Sequence, residues 1–174
     1  MTVFQSGKIT LIHGDCMEYL AGLSDKAFDL AVVDPPYGMT RKMDGSGGAG
    51  RVMRKWKREG SWDIAPGPDY FKELDRASEK CIVWGANNFI EHLEKTTNFI
   101  FWHKHQPAPN FADGELAWTN FSGPCKCYDA PCFGAHGQDV GGKIHPTQKP
   151  VNLYRWLVQK YVQPGWKVLD THVG

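Results

Sequence analysis

At 174 residues the chain is long enough for one domain with a real hydrophobic core. Its 41% hydrophobic and 22% charged residues and 19 glycines suit an α/β protein, and a formal charge of +1 excludes a uniformly basic nucleic-acid coat, so any cationic surface must be local. No run reaches the length of a membrane span, no signal-like segment opens the chain, and five cysteines without an export signal fit a reducing compartment; a cytoplasmic protein with neither membrane partner nor disulfide framework is expected.

In chain order, Lys8–His13 reads as a strand ended by Gly14, with Asp15 placed to cap a short helix over Cys16–Leu23. Phe28–Val33 is a short apolar run, β-branched toward its end, of the kind buried on both faces in parallel sheets. Strand, helix and strand are expected to form a right-handed βαβ unit that brings Asp15 and Asp34 to one sheet edge. Asp34-Pro35-Pro36-Tyr37 follows at once. Two prolines cannot donate to a ladder and fix φ, so this turn presents Asp34 and Tyr37 beyond the strand's carboxyl end, where open α/β sheets bind ligands.

Between Met39 and Trp62, the seven basic residues Arg41, Lys42, Arg51, Arg54, Lys55, Lys57 and Arg58 face two acidic ones, Asp44 and Glu59, and the stretch from Asp44 to Gly50 is mostly glycine. A cationic arm, mobile when unliganded, is expected; it is either a solvated surface loop or a phosphate-contacting one. Helical spacing covers Asp69–Lys80, Cys81–Trp84 reads as a buried strand, and Asn87 or Asn88 suits the cap of a helix over Phe89–Leu93. Asn98–Trp102 and Glu115–Asn120 read as further strands, and the alternation predicts α/β with a largely parallel sheet.

The stretch 103–143 is rich in proline and glycine. Cys125, Cys127, Cys132 and His136 fall in it, but their spacing is not that of paired zinc ligands, so loop-borne thiols without a metal are expected. After His145-Pro146-Thr147-Gln148-Lys149-Pro150 comes a helix over Val151–Val162, with Val151, Tyr154, Leu157, Val158 and Tyr161 on one face. Trp166–Leu169 then reads as a strand leading into Asp170-Thr171-His172-Val173-Gly174.

Asp34–Tyr37, His145–Pro150 and Val168-Leu169-Asp170 with Gly174, in that order, resemble the amino methyltransferases that modify adenine or cytosine in DNA with S-adenosylmethionine. The order matches the permuted group, in which the catalytic motif precedes the cofactor loop. Trp84-Gly85 with Asn88-Phe89, and Glu115–Trp118, further resemble phage-borne and prophage-borne members, some of which serve restriction-modification. The resemblance implies a Rossmann-like methyltransferase fold as one catalytic domain over 1–174, with 39–62 as a basic loop and 103–143 as the target-recognition region.

It also implies site-specific methylation of the adenine amino group in double-stranded DNA, with the cytosine amino group or a catalytically silent DNA-binding remnant as alternatives. Asp34, Pro35, Pro36 and Tyr37 would be catalytic: acceptors fixed around an exocyclic amino group aim its lone pair at the methyl carbon, and Tyr37 offers a ring to an extruded base. Thr147, Gln148, Lys149, Asp170 and Gly174 would meet the cofactor's amino acid tail, and Asp15 its adenosine part, a role compatible with helix capping. The basic residues of 39–62 would meet DNA phosphates. Two departures are visible. Thr171-His172 replaces the family's usual Pro-Phe, and the chain stops inside the cofactor loop, so a partial domain is expected in which the first strand lacks its sheet neighbours and the isolated chain binds the cofactor weakly or not at all.

Overall fold

The computed structural model describes residues 1–38, 63–105, 112–131 and 148–173. Its strands are β1 (Thr2–Ser6), β2 (Ile9–His13), β3 (Phe28–Val33), β4 (Ser78–Trp84), β5 (Phe99–His103), β6 (Gly114–Thr119), β7 (Lys126–Asp129) and β8 (Val168–Leu169). Its helices are α1 (Cys16–Ala21), α2 (Pro68–Ala77) and α3 (Val151–Tyr161). A six-stranded sheet runs in the order β7-β5-β6-β4-β3-β8. β8, β3 and β4 are parallel, β6 runs against both β4 and β5, and β7 follows β5 in parallel, so the sheet is mostly parallel with one reversed strand.

β3 shows why this sheet needs a helix layer on each side. Ala31 and Val33 enter a core with Leu20 of α1 and Phe71 and Leu74 of α2, whereas Leu30 and Val32 enter a second core with Leu153 and Leu157 of α3. All four β3 residues are at most 5% exposed, as expected of a parallel strand buried on both faces. Tyr70, Phe71, Leu74 and Ala77 give α2 its buried stripe. On α3 the buried residues are Leu153 and Leu157; Val151 and Val158 are about half exposed, so the predicted face is rotated from the observed one.

Several local predictions need correction. β2 does not join the main sheet: it pairs antiparallel with β1 through a two-residue turn at Gly7 and Lys8, with Gly7 at φ 57°. The expected βαβ unit is therefore not formed by β2, α1 and β3 within one sheet. Both hairpin strands are largely exposed, so β2 lacks the two-sided burial that selects a sheet interior. The predicted helix over Phe89–Leu93 is instead part of two 3-10 turns, Ala86–Asn88 and Ile90–His92. Helix α2 ends at Ala77 because β4 begins at Ser78, where it pairs with Phe28.

α1 and α2 hold each other at their ends. Asp15 caps α1 by accepting from the Met17 and Glu18 amides at 2.7 and 3.3 Å. Arg76 of α2 donates to the Leu20 and Leu23 carbonyls, closing the carboxyl end of α1, while Lys26 donates to the Asp75 and Ser78 carbonyls where α2 ends.

Candidate functional site

Strand parity decides which side chains meet beyond the carboxyl end of β3. Asp34 continues the Leu30, Val32 alternation and so lies on the α3 side of the sheet, the side that Trp84 of β4 and Ala117 of β6 also face. Glu115 shares the parity of Ala117, and because β6 is reversed its first residues lie at the same end of the sheet as the last residues of β3 and β4. Lys149 enters this space from the segment before α3.

Lys149 is 7% exposed, and its ammonium lies 2.5 Å from Asp34 Oδ2 and 3.1 Å from Glu115 Oε2. It also donates to the Tyr37 hydroxyl at 3.1 Å, and that hydroxyl donates to Asp34 Oδ1 at 2.7 Å. The ammonium sits over the rings of Tyr37 and Trp84, 5.5 and 5.6 Å from their centroids. Lys104 closes the network from the other side as an ion pair with Glu115 Oε1. Burial alone would raise the Glu115 carboxyl, but Lys149 and Lys104 outweigh it and hold the group below its usual range. Asp34 is thus fixed at both oxygens, with capacity left for further donors because a carboxylate offers about four acceptor sites.

Tyr37 is seated by Gly85 and Phe89. Gly85, which ends β4 at φ 72°, lies directly beneath the ring: a Cβ there would fall 2.2 Å from Tyr37 Cε1. Phe89 meets the ring edge-on at a 6.0 Å centroid distance. Burial, with the Asp34 and Glu115 charges, raises the Tyr37 phenol, so it acts as a neutral donor. Gly38 then donates to the Asp63 carboxylate at 2.8 Å, which ties together the points where segment 39–62 leaves and returns.

Asp170 ends β8, the parallel neighbour of β3, so the two aspartates stand at adjacent strand ends. Lost solvation first, and the Asp34 charge next, push the Asp170 carboxyl up to about 6 against the opposing His172 amide and Lys149. The loop after it is pinned to α2, with Thr171 Oγ1 2.7 Å from the Tyr70 hydroxyl and His172 edge-on to the Tyr70 ring at 5.4 Å. His172 therefore packs against Tyr70, and burial lowers its imidazole. Burial first, and then the charges of Asp34, Asp170 and Glu115, raise the phenol of Tyr154 on the first turn of α3.

The structure brings Asp34, Tyr37 and Lys149 together, with Asp170 on the next strand and Gln148 half-buried beside Lys149. Lys149, expected at the cofactor's carboxylate, is placed against Asp34 and Glu115. Pro35 is buried and Pro36 half-buried, which holds the turn rigid. Asp15 caps α1. Thr147, Gly174, Arg41, Lys42, Arg51, Arg54, Lys55, Lys57 and Arg58 lie outside the described residues, as do Cys132 and His136. Sequence reasoning missed Glu115, Lys104 and Gly85 as parts of this site; the parity of β6 counted back from Ala117 was the signal that could have found Glu115. No helix among the described residues is long and apolar enough to cross a membrane.

No family model matches the chain. Among solved structures it is similar to a Thermus thermophilus protein described as a "putative DNA modification methylase", solved in complex with S-adenosyl-L-methionine: 18% identity, TM-score 0.52, covering 92% of this chain and 79% of that one. Two further structures of the same protein, one a selenomethionine derivative, match at 16% identity and TM-score 0.51, covering 92% of this chain and 78% of theirs. At these identities the likeness is one of fold: this chain shares its Rossmann-like α/β fold with the Thermus protein.

Proposed function

We propose that this chain is a DNA methyltransferase that moves a methyl group from S-adenosylmethionine to the exocyclic amino group of adenine. The observation that carries the reading is the Asp34–Tyr37 turn, held rigid at the end of β3 with its aspartate oriented by Tyr37 and Lys149, on a fold shared with a protein solved with that cofactor.

The donor set suits the cofactor. Three carboxylates, Asp34, Glu115 and Asp170, face two ammonium groups, Lys149 and Lys104, leaving net negative charge where a sulfonium and an amino acid ammonium would bind. Asp170 is the group with most to gain from a cation, since its anion is the one the site disfavours. When bound, the cofactor supplies an electrophilic methyl group. Asp34 and the Pro35 main-chain carbonyl would accept hydrogen bonds from the two N–H groups of the amino group, which would localise the nitrogen lone pair for attack on that methyl. The Tyr37 ring would support an extruded base, and the proton that the amino nitrogen sheds would leave to solvent. Lys149 and Glu115 are positioning residues that keep Asp34 from rotating. The basic residues of 39–62 are assigned to the phosphates of double-stranded DNA, and 103–143 to target recognition.

Transfer of radiolabelled methyl groups to duplex DNA, followed by nuclease digestion and chromatography of the nucleosides, is the test. Methylated adenine that disappears in Asp34→Ala is the expected result; methylated cytosine would move the reading to that base. Gel retardation of DNA without any transfer would overturn the enzymatic reading in favour of a silent DNA-binding domain.

A further inference from the structure

Away from the Asp34 network, the outer edge of the sheet gathers a second set of polar groups. β5 ends at His103, which is in register with Asp129 of the parallel strand β7. His103 Nδ1 lies 2.8 Å from Asp129 Oδ1, and His105 Nε2 lies 2.7 Å from the same oxygen. The two imidazole rings face each other with centroids 4.3 Å apart. His105 reaches this position from a backbone at φ 49°, in the left-handed region that non-glycine residues rarely adopt.

From this geometry we propose that His103, His105 and Asp129 form a binding site for a single transition-metal dication of the zinc class. The three ligand atoms all lie within 4.8 Å of one another, whereas ligand atoms on a tetrahedral zinc stand about 3.3 Å apart at bond lengths of about 2.0–2.1 Å. The two nitrogen–oxygen separations, 2.8 and 2.7 Å, fall short of that spacing by about half an ångström, so rotation of the exposed Asp129 carboxylate together with a rotamer adjustment of the exposed imidazoles is what admits the ion. Two imidazoles with one carboxylate favour zinc, copper or nickel over magnesium or calcium, and three protein ligands leave a fourth position for water. Side-chain exposures of 40%, 46% and 63% give the ion a path from solvent.

Three ligand atoms on two neighbouring strand ends thus converge on one point. His103 Nδ1 and His105 Nε2 come from residues two apart on the chain, and they meet the same oxygen only because His105 adopts its left-handed backbone. As metal ligands both rings are neutral and the carboxylate supplies the charge. The ion would fasten the end of β5 to β7 on either side of Lys104, the residue that reaches Glu115, so its part is structural and it does not rest on the methyltransferase reading. Cys125 and Cys127 are exposed nearby on or beside β7 and are the competing ligands.

Calorimetric titration of the chelator-treated full chain with Zn2+ alone tests the site. One equivalent is expected to bind in the micromolar range or tighter, weakening at least about tenfold in His105→Gln and Asp129→Asn and unchanged in a Cys125→Ser, Cys127→Ser double variant. With Co2+ in place of Zn2+, the visible spectrum should show ligand-field bands without thiolate charge transfer. Absence of such a stoichiometric site in the wild-type chain, or its loss in the cysteine variant with retention in Asp129→Asn, overturns the proposal.

Discussion

Replacing Lys149 by Met separates the charge of this side chain from its bulk. The stem is kept and the ammonium is removed from between two carboxylates; side-chain exposure is 3% for Lys149, 19% for Asp34 and 22% for Glu115. Removing one partner of a buried ion pair costs about 3–5 kcal/mol, because the other charge stays behind without compensation. Here Asp34 keeps its bond from Tyr37 and Glu115 keeps Lys104, so the lower end, about 3 kcal/mol, is expected. Urea unfolding at pH 7, followed by tryptophan fluorescence with the m-value checked for constancy, measures it. The sign of its pH dependence follows from Glu115. Its carboxyl is held below the usual 4.5, so its contribution to stability is present above that value and is lost as pH falls through the lowered one. The gap between wild type and variant should therefore narrow as pH falls below 4.5 and through the lowered value, where the charge that Lys149 compensates is protonated. A loss under about 1 kcal/mol at pH 7, or a gap that does not change with pH, would refute the network as described.

Gly85→Ala should cost about 2 kcal/mol or more in urea unfolding, since its φ of 72° and its contact with the Tyr37 ring both oppose a Cβ, and it should depress methyl transfer by shifting that ring. Asp15→Ala is expected to lose about 1 kcal/mol by thermal unfolding while Asp15→Asn, which can still cap α1, loses little. Asp170, pushed up to about 6, is already ionised above that pH and must shed a proton to receive a cation below it; S-adenosylmethionine affinity measured by calorimetry should therefore fall by up to about tenfold per pH unit below 6, and the slope should vanish in Asp170→Asn. The slope, rather than the absolute affinity, is the quantity that reports on Asp170.

The elements that could be read from the sequence were those whose burial is two-sided or strongly periodic. β3 is apolar at successive positions because helices cover both its faces, and α2 carries four buried residues at helical spacing. β1 and β7 escaped because neither has such a pattern: β1 is exposed along its length, and β7 is four half-buried or exposed residues set among prolines and glycines. The 3-10 turns around Phe89 were read as a helix because a cap and a short apolar run look alike in both cases. In the site, Asp34 and Tyr37 were visible because two prolines announce the turn between them. Glu115 was not, because its partner Lys149 lies 34 residues further along and meets it only after β6 has been turned against its neighbours. Lys149 itself drew attention as a cation for a cofactor carboxylate, but charge type alone does not say which of several anions a lysine will reach.

The alternation along β3 bears on how this sequence can change. Leu30 and Val32 face one helix layer, Ala31 and Val33 the other, and Asp34 inherits its side from that count. One residue inserted between Phe28 and Val33 would exchange the two rows and carry the aspartate to the face of α1 and α2, away from Lys149, Glu115 and Trp84. A library of single-residue insertions should therefore show a sharp six-residue interval of intolerance over β3, whereas the exposed turn at Gly7 and Lys8 accepts added length with the site intact.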